Sequence, residues 1–215
     1  TRWEDLSLLA LSLSRLGGAS REPICDRIVA MTTPRLDKIQ DGHTLSVLAC
    51  AFAIPRGDGS SGQPLFAMPE ADEEGAEQWM APEEGFQQLS ERPDIAHLAF
   101  LEQVLVRCER HIFEFRTADI LHLCLAITTL VRNGYSDSIP SRLLTRLIRR
   151  IQALYFEFLP AQFVRLLALM VHIPELKDSC ADRVFFEIAY RARDVKPASC
   201  ISVLRSIHRL GGHPK

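Results

Sequence analysis

Two six-residue stretches decide how this chain folds: Asp5-Leu6-Ser7-Leu8-Leu9-Ala10 and, 39 residues later, Thr44-Leu45-Ser46-Val47-Leu48-Ala49. Leu, Ser, Leu and Ala recur in register, which is the mark of an internal repeat. A second recurrence lies downstream. Pro160-Ala161-Gln162 is followed 37 residues later by Pro197-Ala198-Ser199 and preceded by 43 by Thr117-Ala118-Asp119. Each triplet opens an apolar helical segment, and proline suits a first turn because its missing N–H has no partner there anyway. Helices are therefore predicted to open near residues 5, 44, 119, 162 and 199, at intervals of 39, 75, 43 and 37. The long interval contains the one segment of different composition, Gly57 to Arg92; setting its 36 residues aside leaves 39.

Second helices fall between these. Ser20 is a candidate N-cap for a helix to about Thr33, with Ile24, Ile28 and Met31 on one stripe and Pro34 ending it. Ile95 to Phe115, Pro140 to Phe156 (capped by Asp137 or Ser138) and Asp178 to Arg191 supply the others. Gly17-Gly18, Gly134 and Gly211-Gly212 follow the last apolar turns of first helices, where a left-handed C-cap is wanted. No alternating strand pattern stands out. The expected fold is all-α, an α-solenoid of helix-turn-helix repeats of about 37–43 residues. Residues 1–56 and 93–215 form its two parts, around an acidic insertion at 57–92 expected to be disordered. Trp79, Phe86 and Leu89 are that segment's apolar exceptions. Cys200, Val203, Leu204 and Ile207 are expected to lack a following helix to cover them, so that either more chain or a partner protein packs there.

The chain has 215 residues, 47% hydrophobic and 24% charged, an ordinary composition for a globular protein with a sizeable core. The longest nearly apolar run, Ile120 to Val131, is about half the roughly 20 residues a bilayer needs, so no membrane partner is expected. Cys25, Cys50, Cys108, Cys124, Cys180 and Cys200 form no Cys-x-x-Cys pair and read as reduced core thiols. Phosphate-binding loops, nucleophile elbows and His-Glu-x-x-His pairs are absent from the sequence. Cys108 with His111, and His122 with Cys124, have no second pair at metal-finger spacing. Glu109, Glu114 and Asp119 are the carboxylates that acid–base chemistry would draw on, but no cleft is legible around them. The expectation is therefore no enzyme activity, no cofactor, no metal and no small-molecule substrate.

Charge is more informative. Formal net charge is −2, yet residues 56–94 carry −8, leaving +6 on the helical body. Arg142, Arg146, Arg149 and Arg150 fall in one stripe roughly 100° wide, opposite Leu143, Leu144, Leu147, Ile148 and Ile151. Guanidinium groups donate paired hydrogen bonds to phosphate oxygens, so the stripe is a candidate RNA-backbone contact. The plainer alternative is a solvated face paired with acids such as Glu157 or the acidic loop. A second candidate set is Arg15, Arg132 and Arg209, each in the last turn of a first helix, which stacking would bring into a ladder. Few aromatics interleave these bases, so stacking on nucleobases is not predicted.

Asp5 to Gly17 resembles the first helix of heptatricopeptide and octotricopeptide repeats: acid-Leu-Ala, Leu-Leu, Ala-Leu-Ala, then a base before Leu-Gly. Asp119 to Gly134 is similar with about one extra turn, and Ser199 to Gly211 ends in the same Arg-Leu-Gly. FAST-kinase-like mitochondrial proteins carry similar helices. The likeness covers most of the chain outside the insertion. It fails at Gln162 to His172, where Ile173-Pro174 replaces Leu-Gly, and no nuclease-like domain is visible, so RNA cleavage is not implied. What the resemblance implies is a mitochondrial, non-catalytic RNA-binding protein, a structural subunit of a mitochondrial ribosome that contacts rRNA backbone and neighbouring proteins. The alternative is a protein–protein scaffold in another large mitochondrial complex.

Overall fold

All five first helices begin two residues ahead of their expected starts, so the intervals between them survive intact: Trp3–Leu16 (α1), Gly42–Ala53 (α3), Thr117–Arg132 (α5), Pro160–Met170 (α7) and Pro197–Arg209 (α9). The computed structural model describes residues 2–16, 21–54, 95–195 and 197–211, with the backbone alone at 15, 16, 21 and 198. The expected insertion at 57–92, Gly17-Gly18 and Gly212 lie outside the described residues. Second helices are Arg21–Thr32 (α2), Leu98–His111 (α4), Leu143–Ala153 (α6) and Pro174–Tyr190 (α8). The described residues thus form nine α-helices and no strand.

Local chemistry explains several boundaries. Asp41 caps α3, its carboxylate accepting from the Thr44 amide at 2.7 Å. At α5 the Asp119 carboxylate reaches back to accept from the Arg116 amide at 2.9 Å, and at α7 the Gln162 side-chain oxygen accepts from the Leu159 amide at 2.9 Å. These satisfy amides the helix itself leaves unpaired. α5 ends on Gly134 at φ 77°, with the Tyr135 amide donating to Leu130 O and the Gly134 amide to Val131 O. This is the left-handed closure glycine permits without steric cost. α6 is shorter than expected and is not capped by Asp137 or Ser138, which belong to a separate 3-10 turn; Arg142 stands at its N-cap.

Packing follows chain order in two rows. α1, α3, α5, α7 and α9 each pack against the next, and α4, α6 and α8 do likewise. α2 lies on α1 and reaches α4 through the 3-10 turn Thr33–Lys38. One continuous apolar core runs through both rows, and it includes the fully buried Phe115, Phe158, Phe163, Leu45, Leu105 and Leu123. Each such side chain contributes about 1.5–3 kcal/mol by leaving water.

A recurring arginine clip ties α4, α6 and the end of α8 to the linker that follows the preceding second helix. Arg107 donates to Ile39 O at 3.0 Å and to Asp37 O at 2.7 Å. Arg150 donates through Nε and Nη2 to Phe115 O at 2.9 and 2.8 Å, and Arg191 donates to Phe158 O at 2.8 Å. Ile39, Phe115 and Phe158 are all buried, one or two residues before the N-cap of α3, α5 and α7. The chain separations are 68, 35 and 33, and the first spans the 36-residue acidic segment. A charged donor on a main-chain carbonyl contributes roughly 1.5–3 kcal/mol.

Candidate nucleic-acid interface

α6 has the two faces its sequence suggests. Leu143, Leu147 and Ile151 are buried, Leu144 and Ile148 half-buried, and the arginines lie on the other side. The four arginines are not equivalent. Arg142 and Arg149 are exposed. Arg150 is engaged in the clip to Phe115 O. Arg146 donates to Glu109 O at 2.9 Å, with its Nε 3.7 Å from the Glu109 carboxylate. Among the described residues, the acid beside the stripe is Glu109 on α4, whereas Glu157 is exposed after α6.

The second arginine set is spread along the row of first helices. Arg132 and Arg209 are exposed in the last turns of α5 and α9, but α7 lies between those helices and carries no base in its last turn. Two interhelical steps of about 8–10 Å separate the two rungs. The Arg15 side chain lies outside the described residues.

A group of exposed aromatic rings lies around Arg183, which belongs to neither arginine set. Phe156, Phe186 and Tyr190 are 78%, 56% and 79% exposed. Phe186 and Tyr190 stack with centroids 6.2 Å apart and planes 8° from parallel. The Arg183 guanidinium lies 5.2 Å from the Phe186 ring centre and 5.8 Å from that of Phe156. Its orientation is set by Glu187, whose buried carboxylate takes Arg183 at 2.7 Å on one oxygen and Arg191 at 3.3 Å on the other. The i,i+4 spacing of Phe186 and Tyr190 was the available signal; that Phe156 joins them depends on α6 and α8 packing together.

The thiols behave as core. Cys25, Cys50, Cys108, Cys124 and Cys180 are buried, and Cys200 is the exposed exception. Burial pushes the thiols of Cys108, Cys124 and Cys180 upward, which keeps them protonated and inert. Cys108 is fully buried, and His111 stands 3.2 Å from Glu114. His122 stands beside His43 and Asp119. Among the described residues these three offer ligand atoms that all lie within 4.8 Å of one another. No helix among the described residues is long and apolar enough to cross a membrane. No protein-family model, no curated protein and no solved structure matches the chain.

Proposed function

We infer that this chain is an α-solenoid of helix-turn-helix repeats that binds RNA through its phosphate backbone and carries out no bond chemistry. One observation carries the reading: on a single helix, Arg146 and Arg150 are bonded to neighbouring carbonyls while Arg142 and Arg149 remain exposed. The bonded pair immobilises α6, and the exposed pair is presented about 10 Å apart along its axis. Rigid guanidinium forks match phosphate oxygens and lose little freedom on binding. The exposed rings of Phe156, Phe186 and Tyr190 around Arg183 add surfaces for unpaired bases, at about 1–3 kcal/mol per stacked base. Single-stranded or looped RNA is thus the favoured form. The resemblance to organellar repeat proteins points to rRNA within a mitochondrial ribosome as the setting.

The test is binding of a single-stranded RNA at several salt concentrations. Changing Arg142 and Arg149 together to Glu is expected to weaken affinity by roughly tenfold or more and to flatten the log–log salt slope by about 0.7 per arginine. Unchanged affinity and slope would end the reading. The second reading, a protein–protein scaffold, is favoured by the groove of about 350 Å³ between α8 and α9, lined by Phe185, Ile188, Val203, Leu204 and Ile207. Release of the protein from its native assembly by RNase favours RNA; retention favours the scaffold.

A further inference from the structure

We propose that His43, Asp119 and His122 form a binding site for a divalent first-row transition-metal ion, Zn²⁺ in the first instance, that staples α3 to α5. His43 is the second residue of α3; Asp119 and His122 are three apart on α5 and so share a face. The His43 Nδ1 lies 3.0 Å from Asp119 Oδ1, and the two imidazole centres are 6.1 Å apart. Zinc holds imidazole nitrogen and carboxylate oxygen at about 2.0–2.2 Å, which puts tetrahedral ligands about 3.4 Å from each other. The ligand atoms of the three residues lie within 4.8 Å of one another, so closing on an ion asks for a movement of up to about 1.4 Å. Two imidazoles and one carboxylate are a donor set that suits zinc and leaves a coordination position for water. The His43 side chain is 39% exposed while that of Asp119 is 5% exposed, so the set is reached from the His43 side.

The surroundings supply the support that metal carboxylates use. The other Asp119 oxygen, Oδ2, is held at 2.9 Å by the Arg116 amide, which fixes the orientation of the carboxylate and leaves Oδ1 turned toward His43. Gly42 lets the turn before α5 approach this closely: a Cβ there would stand 2.7 Å from the Phe115 ring. Ligation through Nδ1 uses the neutral His43 tautomer that carries its proton on Nε2.

The other first-helix junctions do not repeat this set. The same three helix positions in the next two junctions are Ala118, Gln162 and Arg165 between α5 and α7, and Ala161, Ser199 and Ser202 between α7 and α9. Those junctions pack without a ligating set. The His-Asp-His combination is therefore particular to α3 and α5.

The experiment is titration of the full chain with Zn²⁺ by calorimetry, and with Co²⁺ by visible absorption, in a Cys200→Ser background that removes the exposed thiol. One equivalent is expected to bind, with tetrahedral Co²⁺ bands. His43→Ala and His122→Ala should each weaken it by about a hundredfold or more, beyond the 10–100-fold typical of outer-shell partners. Asp119→Asn, which keeps an oxygen for the Arg116 amide, should weaken it too. His111→Ala, at the separate His111–Glu114 pair, should leave it unchanged. Zn²⁺ should raise the Tm of the parent and not of His43→Ala, whose folding is checked by circular dichroism. Binding no tighter in the parent than in the His43→Ala, His122→Ala double variant, or loss confined to His111→Ala, would overturn the site.

Discussion

α3 and α9 are both first helices of similar length, yet one is interior and the other is an edge. In α3 every residue except His43 is buried. In α9 the buried side chains among those described are Ser199 and Ser206, while Ile201 and Leu204 are 56% and 65% exposed. Helix propensity and apolar content do not account for the difference; neighbours do. α3 lies between α1 and α5 and against α4, whereas α9 packs on α7. A unit of this kind buries its apolar face only when both flanks are occupied. Cys200, Val203, Leu204 and Ile207 line an apolar groove with Phe185 and Ile188 of α8.

The contrast can be broken most directly by truncating one leucine in each helix. Leu48→Ala removes a side chain 1% exposed and is expected to cost about 2–5 kcal/mol, the range for cavities that relax only in part. Leu204→Ala should stay within about 0.5 kcal/mol. Urea denaturation of both variants checks this, and equal losses would mean that α9 is as interior as α3. The next effect concerns the clips. Arg150→Ala deletes both bonds to Phe115 O and should cost roughly 1.5–3 kcal/mol, whereas Arg205→Ala, on the exposed side of α9, should cost less than about 0.5.

The starts of the first helices were legible because they are written locally, in Pro160, Pro197 and the acid of Thr117-Ala118-Asp119. Their uniform two-residue displacement arises because the recognisable triplet ends on the third helical residue. α8 begins four residues before the expected Asp178, since Pro174 opens that helix at its first position instead of standing outside it. The clips were not legible. Their acceptors are main-chain carbonyls, which every residue carries, so Ile39, Phe115 and Phe158 leave no side-chain signature. The same fact divides the arginine stripe: spacing identifies a shared face on α6, but only packing separates Arg146 and Arg150 from Arg142 and Arg149. His43 and Asp119 are 76 residues apart, and nothing along the chain joins them; the packing of α3 on α5 does.

The smallest effect separates the two helices at their starts. α3 has a side-chain cap, Asp41, while α9 opens on Pro197. Partial burial pushes the Asp41 carboxyl upward. The bonds from the Thr44 amide and hydroxyl, the His43 amide and the nearby His43 charge outweigh it, and the group lies below the usual carboxylate value. A depressed folded-state pKa contributes stability that is fully present above the unfolded value of about 3.9 and disappears as pH falls through the folded value. Asp41→Ala is therefore expected to cost about 1 kcal/mol at neutral pH, and its difference from the parent should shrink below about pH 4. Asp41→Asn retains an acceptor for the Thr44 amide and should lose most of that pH dependence. Parallel denaturation between pH 3 and 7 measures both, and a gap that widens in acid would show that the charged cap is not what holds the start of α3.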